Sequence, residues 1–66
     1  MSVSSQFYKG QAAMCARSAA GAILANERDK YLRAEAAWQA LADREAGIRV
    51  ARAQREAERA VEALLL

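Results

Sequence analysis

The chain has 66 residues, a formal charge of +2 and no histidine or proline, with a single cysteine. At this length it is at most one small domain. The missing histidine removes the commonest general base and zinc ligand, and one cysteine permits neither an internal disulfide nor a thiolate metal cage.

Apolar residues make up 55% and charged residues 27%, a composition that is neither disordered nor fibrous. Alanine is the commonest residue, and Leu, Arg, Glu and Gln fill much of the rest, all strong helix formers. Val, Ile and Thr are too scarce to supply a sheet. The expected fold class is therefore all-α. No apolar run approaches the ~20 residues of a membrane-crossing helix. Arg17 interrupts the only segment that resembles a secretory signal, and a transit peptide would carry more arginine than this one. These readings point to a bacterial cytoplasmic protein with a reduced thiol.

In chain order, Ser4 or Ser5 is a natural cap for a first helix, because a serine hydroxyl accepts from the free amides of the first turn. Apolar positions recur at Tyr8, Ala12, Cys15, Ala19 and Ala22, alternately four and three apart, which marks one helical face. Phe7 and Met14 widen that face. Gly21 can take up the left-handed conformation that ends a helix. The expected elements are a helix over about 5–20, a turn over about 21–25 and a second helix over about 26–64. A single helix running through Gly21 is the alternative, since no proline forces a break.

Asn26 is the expected cap of the second helix, with Glu27 and Asp29 favouring its positive dipole end. Its apolar face reads Leu24, Tyr31, Ala34, Trp38, Leu41, Ala42 and Ile48. Beyond Gly47 a cleaner seam follows: Ala46, Val50, Ala53, Ala57, Ala60 and Leu64, flanked by arginine and glutamate. Glu45–Arg49 and Arg52–Glu56 are four apart, the spacing of helix-surface ion pairs.

A short turn makes the two helices antiparallel neighbours. Cys15 then faces Tyr31, Tyr8 faces Trp38, and the first helix runs out near Leu41. About 20 residues of the second helix are left without a partner in their own chain, at ~1.5 Å of rise per residue. A thin two-helix core without disulfide or metal calls for association. The candidate core and interface residues are Phe7, Tyr8, Cys15, Tyr31, Trp38, Leu41, Ile48, Val50, Ala53, Ala57, Ala60 and Leu64. Two hairpins meeting through the aromatic end would form a helical bundle.

The pattern Tyr8-x-x-x-Ala12-x-x-Cys15, then Leu24-Ala25-Asn26-x-Arg28-Asp29-Lys30-Tyr31-Leu32-Arg33, Ala36-Ala37-Trp38 and Leu41-Ala42-Asp43-Arg44, resembles short helical-hairpin proteins of alphaproteobacterial genomes. The resemblance covers about Tyr8 to Arg44. It implies the hairpin shape and carries no activity, because none is assigned to that group. Ile23 stands where many of its members have Thr or Asp-Pro at the turn, and the segment after Ala46 departs from the pattern.

The expected function is a non-catalytic protein–protein interaction or oligomerisation module, either self-associating or an accessory subunit of a larger partner protein. No cofactor, metal or catalytic residue is expected, since the chain lacks the histidine that nucleophile systems and di-metal carboxylate bundles rely on. Cys15 reads as a small core hydrophobe rather than a redox centre, and Trp38 and Tyr31 as core rather than a stacking platform. The alternative is a small regulatory nucleic-acid-binding protein using Arg44, Arg49, Arg52, Arg55 and Arg59. The interleaved Glu56, Glu58 and Glu62, which repel phosphate, count against it.

Overall fold

A computed structural model describes residues 4–66; the first three residues of the domain expected over 1–66 lie outside that description. The described chain is an antiparallel helical hairpin with no strand, α1 over Ser5–Gly21 and α2 over Ala25–Leu65. The break at Gly21 excludes a single continuous helix.

Ser4 caps α1, its hydroxyl accepting from the Phe7 amide. The end of α1 differs from expectation. Gly21 is the last helical residue, and no residue among those described, glycine included, has a positive φ. The chain instead leaves the helix through Ala22 in an extended conformation, whose N–H donates to the Ala19 carbonyl at 3.2 Å. That bond occupies a carbonyl the helix end would leave free, so a left-handed residue is not needed. The start of α2 differs too. Leu24, not Asn26, occupies the cap position, and its side chain makes no capping bond. Asn26 lies inside the first turn, beyond reach of the cap role.

Three residues, 22–24, thus reverse the chain. Ile23 at the tip is almost wholly exposed. The packed surfaces then meet along α1 positions Ser5, Ala12 and Ala19 and α2 position Ala42, the only fully buried residues described. Ser5, Tyr8, Ala12, Cys15, Ala19 and Ala22 form one stripe with spacings of three and four, and all six are buried or half-buried.

The buried residues are small for a geometric reason. Two helices have no third layer above the contact line, so only a side chain directly between the axes is covered on all sides. A bulky side chain at the same line protrudes past it.

The whole measures 64 × 18 × 15 Å, and its long dimension is that of α2, 41 residues at ~1.5 Å each. The radius of gyration is 18.1 Å, where a compact chain of this length would have about 11 Å. The molecule is a rod with a doubled half and a single half.

Candidate protein-interaction surface

The doubled half begins at the turn, and its side-chain contacts reach further along α2 than the α1 backbone does. α1 begins at Ser5, which the Tyr8–Trp38 register sets opposite Leu41 as expected, and the Arg49 guanidinium reaches back to donate to the Ser5 hydroxyl at 2.8 Å. The same Nη2 lies 3.2 Å from Glu45 Oε2, in an ion pair without an aligned hydrogen bond. Arg49 is thereby tied to α1 through Ser5 and to its own helix through Glu45. Arg49 keeps 59% of its side-chain exposure and Glu45 only 23%, so the acid is the more sequestered partner. The long arginine side chain spans the last turn of the hairpin, which is why the paired region extends beyond what backbone rise alone indicates.

Next to this clasp lies an aromatic cluster. Tyr8 of α1 sits opposite Trp38 of α2 with ring centroids 5.9 Å apart, as the antiparallel register predicts. Phe7 meets Trp38 edge-on at 6.0 Å and Tyr8 at 5.9 Å. Edge-to-face geometry places the positive ring edge on the negative face of its neighbour. The rings are not enclosed: Tyr8 and Trp38 are half-buried and Phe7 is 49% exposed. Tyr31 is half-buried with the Lys30 ammonium 5.4 Å from its ring centroid. Cys15 is a half-buried free thiol.

Leu41 and Ile48 are 40% and 50% exposed in the single chain, so the hairpin by itself does not enclose them. They stand seven residues apart on one flank of α2, and the contact line passes instead through Trp38, Ala42, Glu45 and Arg49. A step of one residue turns a helix by about 100°, enough to move Leu41 and Ile48 off the line. Met14 on α1 is also exposed, at 53%. The hairpin thus carries a bulky apolar flank that α1 and α2 leave open.

Beyond the clasp the single half begins. Every residue from Arg52 to Leu66 is exposed, a stretch of about 22 Å of helix. Val50, Ala53, Ala57, Ala60 and Leu64 of the expected seam all lie exposed in the chain by itself, Val50 at 57% and Leu64 at 86%. Val61 stands beside them at 55%.

The described residues hold no group of His, Cys, Asp and Glu able to bind a metal ion, and no helix long and apolar enough to cross a membrane. One surface depression, bounded by Ala16, Ala20, Arg28 and Leu32, is an open dent between the helices.

Reading the sequence missed Ser5 and misjudged Arg49. Ser5 was legible as a buried position, because it precedes Tyr8 by three on the same stripe; its serine identity drew attention to capping instead. Arg49 looked like one more solvent-facing flank residue, and nothing in its local pattern shows that it meets α1.

Comparison with protein-family models, curated proteins and solved structures finds no match.

Proposed function

We propose that this protein is a non-catalytic interaction module that associates with itself or with a larger partner protein through the faces its own hairpin leaves open. One observation carries the reading: the last third of α2, from Arg52 on, is an amphipathic helix exposed on every side, next to a hairpin whose Phe7, Met14, Leu41 and Ile48 are also uncovered. Contiguous apolar surface of this kind marks interaction sites. A chain with so few buried residues gains little from its own core, and association supplies the missing burial. The reading gives the protein no reaction of its own, and places it in the cytoplasm, where Cys15 stays reduced. Assembly of two hairpins into a helical bundle belongs to the same reading.

Light scattering across a concentration series tests it, together with affinity capture on the full chain from native lysate. A mass above one chain, or a stoichiometric partner, supports the reading. A chain that stays monomeric and captures nothing removes it.

A second reading has its own observation. Arg52, Arg55 and Arg59 recur at spacings of three and four on one side of the exposed arm. Such a row can track phosphates. Duplex DNA binding that weakens steeply with added salt would favour this reading over protein association.

A further inference from the structure

We infer that the apolar face of the arm is covered by the same face of a second copy of this chain, running antiparallel. The inference deepens the proposed function, on which it rests, by naming the partner and its direction. Ala46, Val50, Ala53, Ala57, Ala60 and Leu64 are spaced four, three, four, three and four apart, a pattern that reads the same in both directions. An antiparallel copy with its two-fold axis beside Arg55 sets Leu64 against Ala46 of the second copy, Ala60 against Val50 of the second copy, and Ala57 against Ala53 of the second copy. Every layer then joins an alanine to an equal or larger side chain. Layers of similar volume let the two axes stay about 8–10 Å apart along the whole seam. A parallel, in-register copy stacks each residue on itself. Leu64 and Val50 would wedge the ends apart and leave the alanine layers between them underfilled, at a loss of packing density.

Two further observations agree. The seam is offset by one residue from the line Trp38–Ala42–Glu45–Arg49 that α1 covers, a rotation of about 100°. A second helix on the seam therefore lies beside α1 and does not collide with its end. The chain also exposes 5386 Å², where a folded monomer of 7.2 kDa would expose about 4,100 Å². The excess exceeds the ~800 Å² per partner that a specific dimer buries.

One charge marks the arrangement. Glu56 flanks the seam nearest the axis and meets Glu56 of the second copy, with Arg52 and Arg59 four before and three after it as local counter-charges. Glu56→Gln, at an exposed position, should tighten the dimer about threefold, the size of an exposed charge pair. No change would indicate parallel arms. Weakening would indicate a register one heptad away, in which Glu56 meets Arg49 of the second copy; either result overturns the stated pairing.

A spin label at Arg44→Cys in a Cys15→Ala background reads direction independently. The antiparallel dimer places the labels about 35 Å apart along the axis and a parallel one within about 20 Å. A label distance in the shorter range rejects the antiparallel order while self-association survives. A chain that light scattering finds monomeric rejects the second copy altogether, and capture of another protein then decides the broader reading separately.

Discussion

The Ser5–Arg49 bond ties the first residue of α1 to the far helix. Ser5 is 3% exposed and its hydroxyl accepts from a guanidinium that is itself more than half exposed. Ser5→Ala should cost about 1 kcal/mol, the net value of a hydrogen bond whose charged partner can return to water. A urea midpoint unchanged from the parent would show the bond to be dispensable. Trp38 is a different case. Its ring is half-buried and holds edge contacts with Phe7 and a tilted contact with Tyr8. Trp38→Ala should cost about 2 kcal/mol, below the 3–5 kcal/mol of an enclosed aromatic, because part of its surface is wet already. A loss at the full buried value would mean that something outside the hairpin covers Trp38 in solution. Ala42, with 0% exposure, tolerates least: Ala42→Leu should cost about 1–3 kcal/mol by forcing the axes apart.

At the scale of the elements, the ends of the helices hold the unused stability. Leu24 caps α2 with an apolar side chain that satisfies none of the free amides behind it. Leu24→Asp should add about 1 kcal/mol by accepting from those amides and by its charge at the positive end of the dipole. Gly47 sits inside α2 with open space where a Cβ would lie. Gly47→Ala should raise the melting temperature through a gain of about 1 kcal/mol in helix propensity. Thermal unfolding followed by circular dichroism checks both, and a fall in either case would show that the position serves something other than the helix.

The elements were legible because apolar residues recur at helical spacing along both helices and the chain has no proline. The boundaries were read to within a residue or so and Ser4 was legible as the first cap, whereas the end of α1 and the cap of α2 were not. Gly21 and Asn26 have the right chemistry for helix ends, but the path that brings α2 back against α1 dictates which residue is extended. Tyr8 opposite Trp38 followed from counting residues away from the turn.

For the whole molecule the relevant quantity is exposed surface against mass. A rod 64 Å long and 15 Å thick cannot enclose its apolar residues by folding on itself. Binding to the folded form alone raises apparent stability with concentration. Helicity and melting temperature should therefore both fall on dilution. Val50→Asp should abolish that dependence, by placing a charge on the seam, while leaving the doubled half helical. A melting curve that does not move over a hundredfold dilution (roughly the span that shifts a dimer by a few kcal/mol) would describe a self-sufficient monomer.

Sequence by itself determined the fold class, the two helices, their antiparallel order and the overhang of the second, since each follows from local periodicity and chain length. Tertiary structure alone decided that the arginine of the last paired turn clasps a serine near the start, that alanines and not aromatics occupy the sealed line, and that Leu41 and Ile48 face outward. Those outcomes depend on how closely two axes approach and how they are rotated, and rotation is set by side chains distant in the chain that meet only after folding.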